Sequence, residues 1–449
     1  MEHLAHPSSL ETNKPSAEAI STPDDTQSAR PPKVAFINLG CRVNRVETDV
    51  IASELERAGC EVVPQTEADA IIINTCAVTS EAEAKTRKVV RRAAKLAHTP
   101  FVVATGCVAS LHADEISSIA ENVNVQVNKA QVASCVLNEF GCIAGSVDDS
   151  GNLISTPTPT GRTRPGIKVQ DGCNNRCSFC IVWKARGPAC SADVDEIISQ
   201  VRATQAHGAH EVVLTGINLG DYRYEYKGSR LRLPGLLSEI MKQTSIERIR
   251  LSSIEPPDIT DELLDVIAGS EGRIAQFLHI CLQSGCDATL RRMKRNYTTA
   301  FYRSAVERAR DRMPHVALGT DLIVGFPGET DDEFATSYKF CKDIGFAKMH
   351  IFRYSKRSGT PAATAEGQVD PHVMAARSRT MHELAAQMRY TQAQKLVGMR
   401  DSVVVQTAGY GITSGLFDAH VDKTIPIDTL IDVTIASVMP DSSLIVTRI

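Results

Sequence analysis

Three cysteines lie close together in the segment GCNNRCSFC and are suited to holding a metal centre. Cys173, Cys177 and Cys180 are spaced C-x3-C-x2-C. Three thiolates can hold three corners of a four-iron cluster and leave the fourth iron open to a substrate. A zinc site would need a fourth protein ligand, for which Cys190 is the nearby candidate. We favour iron and sulfur, because a loop rich in glycine and asparagine offers backbone amides to the sulfur atoms.

A second set of three cysteines recurs at matched positions nearer the amino terminus. Cys41, Cys76 and Cys107 each follow the end of an apolar segment by two residues, and a small residue precedes each of them. Ligand sites in an open parallel sheet form outside the carboxyl ends of the strands, so these thiols should converge. One cysteine in such a place is usually a packing residue, but three in one register favour a shared metal centre. The remaining cysteines share no such spacing and are interpreted as packing residues: Cys60, Cys135, Cys142, Cys190, Cys281, Cys286 and Cys341.

The composition is that of a globular protein of about three domains. Its 449 residues are 43% hydrophobic and 23% charged, and the formal net charge of −4 does not attract a polyanion by itself. No apolar segment is long enough to span a membrane, and residues 1–32 lack a signal-peptide pattern, so we expect a cytoplasmic protein. In that reducing compartment, thirteen cysteines indicate metal ligation or catalysis rather than disulfides.

The order of apolar and helical segments predicts an α/β fold that positions both cysteine sets. Residues 1–32 are polar and predict a disordered tail, and residues 33–142 predict an open parallel α/β domain. A linker rich in Gly, Ser, Thr and Pro follows at 143–164. Six strand and helix pairs in residues 165–397 predict a partial parallel (β/α)6 barrel with its chemistry at the carboxyl ends of the strands. Residues 398–449 predict a small β-barrel.

The residues around the cysteines resemble the radical S-adenosylmethionine methylthiotransferases, from residue 33 to about residue 449. The segments that carry this resemblance are GCRVNRVETD (40–49), NTCAVTSEAEAKTR (74–87), TGCVAS (105–110) and DGCNNRCSFCIV (171–182). Other segments resemble the branch of the family that acts on N6-threonylcarbamoyladenosine in tRNA: LTGINLGDY (214–222), RLSSIEP (250–256), LQSGCDATLRRM (282–293), TDLIVGFPGET (320–330) and FRYSKRSGTPAA (352–363).

The resemblance implies S-adenosylmethionine and two [4Fe-4S] clusters as cofactors. The cluster on Cys173, Cys177 and Cys180 would bind the amino and carboxylate groups of S-adenosylmethionine and cleave it to a 5′-deoxyadenosyl radical, which would abstract hydrogen from C2 of the adenosine. The cluster on the second set would provide the methylated sulfur, and a second S-adenosylmethionine would supply the methyl group. Gly216 matches the family's glycine turn beside the cofactor amino group, and Gln283 could hydrogen-bond that group. Both residues equally suit an ordinary turn or strand end.

The resemblance also implies partners and leaves substrate alternatives open. The expected substrate is tRNA modified at position 37, reduction needs an electron donor protein, the sulfur source stays undetermined, and we expect a monomer. Isopentenyladenosine in tRNA, or an aspartate of a ribosomal protein, is the substrate of a sister branch. A metal-stabilised RNA-binding module without turnover is an alternative of another class.

Some features of the chain depart from the family pattern. Trp183 lies close after the third cluster cysteine, where a proline is usual, and Ala192 follows Ser191 where an arginine is usual. Family members commonly bind RNA through the small β domain, yet residues 398–449 contain three basic residues and six aspartates. We expect phosphate contacts from two basic patches instead. The first basic patch is Lys85, Arg87, Lys88, Arg91, Arg92 and Lys95, and the second basic patch is Arg291, Arg292, Lys294 and Arg295. A solvated helix face with pairs such as Glu81 to Lys85 is the alternative interpretation of the first.

Overall fold

A computed structural model describes residues 30–142 and 162–449. Most of the expected disordered tail and most of the expected linker lie outside these described residues. None of the helices in the described ranges combines the length and apolar character needed to cross a lipid bilayer.

The amino-terminal part is a five-stranded parallel sheet with the order β2-β1-β3-β4-β5, as the alternating pattern predicted. Its elements are β1 (Lys33–Asn38), α1 (Arg42–Arg57), β2 (Glu61–Val62), β3 (Ala70–Thr75), α2 (Ser80–Ala94), β4 (Phe101–Gly106), α3 (Cys107–Leu111), α4 (Ala113–Ser117), β5 (Val123–Val125) and α5 (Val132–Glu139). Every residue of β3 is buried, because α2 and α3 cover one face of the sheet and α1 and α5 cover the other. The carboxyl ends of β1, β3 and β4 therefore lie side by side at one edge.

The central part is an incomplete barrel of parallel strands, which confirms the predicted class of fold. The path β6-β9-β12 continues through β13-β14-β15-β16, and each pairing along it is parallel. The first half contains β6 (Gly166–Lys168), β7 (Gln170–Asp171), α6 (Val182–Arg186), β8 (Cys190–Ser191), α7 (Val194–Ala206), β9 (Glu211–Thr215), β10 (Arg223–Tyr226), β11 (Ser229–Arg232) and α8 (Leu233–Gln243). The second half contains β12 (Arg248–Leu251), β13 (Ser253–Ile254), α9 (Asp261–Ala268), β14 (Phe277–Ile280), α10 (Asp287–Arg292), α11 (Thr299–Arg312), β15 (Ala317–Val324), α12 (Asp331–Ile344), β16 (Lys348–Arg353) and α13 (Pro371–Gln394).

The carboxyl-terminal part is a small closed barrel, also as predicted. Its strands are β17 (Arg400–Thr407), β18 (Tyr410–Thr413), β19 (Asp418–His420), β20 (Leu430–Val438) and β21 (Leu444–Arg448), in the order β17-β18-β19-β21-β20. Phe277 and Ala317 of the central barrel belong to the same apolar core as its inward-facing valines and isoleucines. The small barrel therefore packs directly on the amino ends of β14 and β15.

Two arginines of β12 join the central barrel to the small barrel. Arg248 and Arg250 are fully buried, and their Nε atoms lie 2.5 and 2.7 Å from the carboxylate of Glu211 on β9. Their other N–H groups donate to backbone carbonyls of the small barrel, including those of Ser402 and Ser414 at 2.8 Å. Burial opposes ionisation of Glu211, but the charges of Arg250 and Arg248 outweigh it and lower its pKa to about 2.

Replacing Glu211 with glutamine is expected to reduce the free energy of unfolding by about 3–5 kcal/mol, because two buried guanidinium groups lose their counter-charge. Denaturant unfolding measures the change, and Glu307→Gln, at an exposed carboxylate of α11, is the matched control. The folded-state pKa of Glu211 lies below its unfolded value of about 4.3. Its contribution is therefore complete above that pH and is lost as the pH falls toward about 2. An equal change in the free energy of unfolding in both variants would contradict a stabilising role for the ion pairs of Glu211 with Arg248 and Arg250.

Candidate active site

The loop that carries Cys173, Cys177 and Cys180 lies between β7 and α6 and is held at both ends. The Cys173 amide donates to the carbonyl of Gly187 at 3.1 Å, and Ser178 Oγ donates to the carbonyl of Arg292 at 2.7 Å. Gly172, which precedes the first cysteine, has φ +66°, and a Cβ there would lie 2.0 Å from the carbonyl oxygen of Pro188. This turn therefore requires glycine.

The environment of these three sulfur atoms suits thiolate ligands. Backbone amides of the loop and of α6 donate to the sulfurs of Cys173 and Cys180. Burial raises the pKa of Cys180 to about 11, and the nearby charges of Cys177 and Cys173 add to the effect. Arg295 Nη1 donates to the sulfur of Cys177 at 2.9 Å. Three thiols that repel one another when ionised gain most from a shared positive centre, as an iron–sulfur cluster provides.

Arg295 is therefore not available to a phosphate, although the sequence places it in the second basic patch. Its side chain is 4% exposed and is ion-paired with Glu255 as well as bonded to Cys177. Arg292 of the same patch binds Glu333 at 3.0 Å and the carbonyl of Pro327 at 3.2 Å. The expectation for the second basic patch is wrong for these two arginines, because buried or neighbouring carboxylates already neutralise them.

The second cysteine set lies at the carboxyl edge of the amino-terminal sheet, as the strand-end argument predicted. Register brings Asn38 of β1, Asn74 of β3 and Thr105 of β4 level with one another. Cys41 caps α1, Cys76 follows β3 and Cys107 begins α3. Burial raises the pKa of the Cys76 thiol, and the charges of Cys41 and Cys107 raise it further, because the three sulfurs are neighbours.

A buried polar network, not apparent from the sequence, fixes these three strand ends. Asn44 Nδ2 donates to Asn74 Oδ1 at 3.0 Å and to the carbonyl of Thr75 at 2.8 Å. Thr75 Oγ1 donates to the carbonyl of Thr105 at 2.7 Å and accepts from the first amides of α3. Gly106 has φ +90°, and a Cβ there would lie 2.4 Å from Asn74 Oδ1. The turn into Cys107 is thus compatible only with glycine.

A second buried network joins the two cysteine-bearing parts. Arg186 ends α6 and reaches Glu47 and Asn44 of α1, both at 2.8 Å. Lys168 Nζ of β6 also donates to Glu47, at 2.9 Å. Burial opposes the charge of Glu47, but Lys168 and Arg186 lower its pKa well below the usual range. The carboxylate therefore stays ionised and holds α1 against the cluster loop.

The segment from Ser355 to Ala362 touches both cysteine loops. Ser80, at the start of α2 near Cys76, contacts Ser355 Oγ at 2.9 Å. At the other end, the Ala362 amide donates to the carbonyl of Ser178 at 2.9 Å, between the second and third cysteines of the first set. This segment, the inter-loop strap, spans the gap between the two loops.

Arg357 of the inter-loop strap shows that the space between the cysteine sets suits a negatively charged group. Its side chain is 3% exposed and pairs with Glu83, yet Nε and Nη1 have no partner among the described residues. Burial lowers the pKa of Arg357, whereas the charges of Glu83, Cys76 and Cys180 raise it. Anionic sulfur on clusters held by the two sets would satisfy these N–H groups. The donor sets therefore fit two iron–sulfur clusters.

One cavity of about 600 Å³ opens between the two sets and extends into the central barrel. Cys41, Cys173, Cys177 and Cys180 line it. Both weaker candidates from the sequence, Gly216 and Gln283, also line it. Gly216 packs on Gln170, where a Cβ would lie 2.9 Å from its side chain, and Gln283 adopts φ +63° after β14. The structure thus places both beside the cavity, and their roles toward the cofactor remain predictions.

The two departures from the family pattern also have definite surroundings. Trp183 lines the cavity, and the guanidinium carbon of Arg176 lies 4.4 Å from the centre of its ring. Ala192 packs against the apolar core of the central barrel, and its carbonyl accepts from Tyr222 Oη at 2.9 Å. Trp183 therefore shapes the cavity wall, whereas Ala192 is a packing residue.

Protein-family models match both the amino-terminal sheet and the central barrel. Residues 167–341 match the family model described as "Radical SAM superfamily", and residues 33–128 match "Uncharacterized protein family UPF0004". The structure of the radical S-adenosylmethionine methyltransferase TsrM from Kitasatospora setae covers 74% of this chain and 76% of its own, with a TM-score of 0.52 and 15% identity. That likeness shows a shared fold. The partial barrel and its three-cysteine loop define a radical S-adenosylmethionine enzyme.

Curated relatives narrow the family. Threonylcarbamoyladenosine tRNA methylthiotransferase MtaB of Bacillus subtilis (strain 168) is 38% identical over 79% of this chain and 79% of its own length. The protein of that name in Chlamydia pneumoniae is 34% identical over 89% and 94%. Ribosomal protein uS12 methylthiotransferase RimO of Anaeromyxobacter sp. (strain Fw109-5) is 32% identical over 83% and 81%. The chain belongs to the radical S-adenosylmethionine methylthiotransferases, and it uses S-adenosylmethionine and two [4Fe-4S] clusters.

Proposed function

We propose that the protein methylthiolates C2 of N6-threonylcarbamoyladenosine at position 37 of tRNA. The observation that carries the proposal is the single cavity onto which a cysteine of the amino-terminal sheet and the three-cysteine loop of the barrel both open. The names of the relatives from B. subtilis and C. pneumoniae support this substrate. The RimO-type relative supports the family rather than the base, so isopentenyladenosine and ribosomal-protein aspartate are the alternatives to exclude.

The proposal assigns a role to each part of the chain. Cys173, Cys177 and Cys180 hold the cluster that binds S-adenosylmethionine, and the second cysteine set, in residues 33–142, holds the other. When bound, these cofactors supply the reductive cleavage of S-adenosylmethionine and the sulfur of the methylthio group. The protein positions the reactants and excludes water from the cavity. Residues 165–397 form the domain that cleaves S-adenosylmethionine, and residues 398–449 form the small barrel that packs against it. An external electron donor protein and a monomeric enzyme complete the proposal.

Nucleoside mass analysis of tRNA from a strain that lacks this protein tests the substrate. We expect loss of the methylthio group from threonylcarbamoyladenosine, with the unmodified parent nucleoside accumulating in its place. Loss from the isopentenyl nucleoside would move the assignment to the sister branch. Iron analysis of anaerobically purified protein separates the enzyme from a metal-stabilised RNA-binding module, since two clusters contain about eight irons per chain. One zinc per chain without cleavage of S-adenosylmethionine would contradict the proposal.

The first basic patch supports a contact between α2 and the tRNA backbone. Lys88, Arg91 and Arg92 are exposed and make no ion pair within the described residues. Glu81 pairs with Arg353 at 3.4 Å instead of with Lys85, so the alternative pairing is not the one observed. Arg87 of the same patch pairs with Glu115 at 2.5 Å and contributes less free charge.

The double substitution Arg91→Glu, Arg92→Glu is expected to weaken tRNA binding and to flatten its salt dependence. Each lost phosphate contact lowers the slope of log affinity against log salt by about 0.7–0.9. Electrophoretic or fluorescence titrations at several salt concentrations measure both quantities. Lys339→Glu, Lys342→Glu on α12 changes the charge equally and is the control. Equal weakening by the two double variants would show that overall charge, not α2, is responsible.

A further inference from the structure

Part of the positive charge around the cavity has no partner among residues 30–142 and 162–449. Four cationic side chains line the cavity: Arg42, Arg250, Arg295 and Lys348. Arg250 and Arg295 are each ion-paired with a glutamate of the barrel. The side chains of Arg42 and Lys348 make no hydrogen bond or ion pair with any described residue.

The acidic groups of the cavity cannot neutralise these two cations, because they are already engaged. Asp321 lies 3.2 Å from His279 Nε2 and 3.2 Å from His350 Nδ1. The two histidines lower its pKa well below the usual range despite its burial. Glu255, the other carboxylate that lines the cavity, is paired with Arg295. The protein thus leaves a surplus of positive charge in a confined space, and such a surplus favours an anionic ligand.

Lys348 lies at the opposite end of the barrel strands from the cysteine loop. It is the first residue of β16 and pairs with Gly319, which in turn pairs with His279 of β14. The same end of the cavity is lined by Phe277, the first residue of β14, and by Leu416 of the small barrel. The cysteine loop, by contrast, follows β6 and β7 in the chain and lies beyond their carboxyl ends.

The electrostatic surroundings of Lys348 agree with a site prepared for an anion. Burial lowers the pKa of Lys348, and the charge of Arg389 lowers it further. The charge of Arg42, which lines the same cavity, acts in the same direction. Asp418 offsets only part of this repulsion. A bound carboxylate would relieve the repulsion.

We infer that Lys348, assisted by Arg42, binds the carboxylate of the threonylcarbamoyl group and thereby selects this base over adenosines with an uncharged N6 substituent. The inference rests on the proposed function, since it concerns the substrate of the same cavity. In the proposed function the first cluster binds the carboxylate of S-adenosylmethionine, and the sulfonium of that cofactor is positive, so the cofactor leaves these two cations without a counter-charge. An isopentenyl group has no charge to offer them. The inner end of the cavity, covered by the small barrel, suits a side group of the base better than the phosphate backbone.

Two synthetic anticodon stem-loops test the inference by binding rather than by turnover. One carries N6-threonylcarbamoyladenosine at position 37, and the other carries the methyl ester of the same group, which removes only the charge. Their dissociation constants are measured with the anaerobic holoenzyme and S-adenosylhomocysteine. We expect the wild-type protein to prefer the free acid by about tenfold to a hundredfold, the range for a hydrogen-bonded charge. Lys348→Met is expected to abolish that preference, and Lys348→Arg to retain it.

Matched controls make each outcome decisive. Lys339→Met, at an exposed lysine of α12, should keep the full preference. Iron content and affinity for S-adenosylmethionine should stay unchanged in Lys348→Met, and if this variant fails to fold, the ester comparison on wild-type protein still tests whether the site recognises the charge. A wild-type preference that survives in Lys348→Met overturns the inference, as does equal weakening for both stem-loops, which would indicate a phosphate contact. Equal wild-type affinity for both stem-loops also overturns it.

The proposed function itself fails on a different result. That result is equal affinity for the threonylcarbamoyl stem-loop and for one with plain adenosine, together with unaltered nucleosides in tRNA from the strain that lacks the protein.

Discussion

Replacing Cys177 with alanine is expected to abolish reductive cleavage of S-adenosylmethionine while the second cluster is retained. The sulfur of Cys177 is buried and accepts from Arg295 at 2.9 Å, and it is one of only three thiols in the loop from Cys173 to Cys180. A four-iron cluster with two protein ligands is unstable, and the iron content should fall from about eight to about four per chain. Anaerobic iron analysis and chromatographic detection of 5′-deoxyadenosine measure the two effects.

Cys190→Ala is the matched control for this variant. Cys190 lies ten residues beyond Cys180, is exposed and is the nearest alternative ligand in the sequence. It should keep the full iron content and full cleavage. Loss of metal from the Cys190 variant would instead indicate a four-cysteine site and would contradict the assignment of an open iron.

Replacing Cys107 with alanine is expected to separate the two halves of the reaction. The second set would lose its cluster, again leaving about four irons per chain. Cleavage of S-adenosylmethionine should continue, because the first set lies on a different loop. No methylthio group should form, since no sulfur is presented. Mass analysis of a treated stem-loop, together with the yield of 5′-deoxyadenosine, measures this uncoupling.

Cys135→Ala provides the comparison within the same sheet. Cys135 lies on α5, on the opposite face of the sheet from α2 and α3, and packs against an apolar cluster. This variant should retain both iron and product. Retention of eight irons by the Cys107 variant would show that the second set does not hold a cluster, and the proposed source of sulfur would then be wrong.

The cysteine sets and the strands before them could be predicted because their signals are local or periodic. Strand ends in a parallel sheet align, so matched spacing after β1, β3 and β4 suffices to bring Cys41, Cys76 and Cys107 together. The apolar segment FLHICLQ at residues 277–283 predicts a strand along its whole length, but the strand ends at Ile280. The chain must turn there to give Gln283 its positive φ, which a run of apolar residues does not reveal.

The polar networks could not be predicted, because they join residues that are distant in the chain. Glu47 and Arg186 are separated by 139 residues and belong to different parts of the fold. Arg295 reads as one member of a basic cluster in the sequence, yet it is buried against Cys177 and Glu255. Charge in a sequence indicates a surface by default, and only tertiary structure shows which carboxylate removes it from the surface. For the same reason, the sequence does not show that the side chain of Lys348 has no partner among the described residues.

The ion pairs and hydrogen bonds between the amino-terminal sheet and the central barrel affect how the substrate binds. Glu47 anchors the sheet to Arg186 of α6, whereas Glu83 and Ser80 anchor it to the inter-loop strap. The cavity is therefore preorganised, and its walls need not close on the ligand to become complete. Recognition in such a site is lock-and-key: ordering costs are met when the chain folds, and the energy of binding is left for discriminating one modified nucleoside from another.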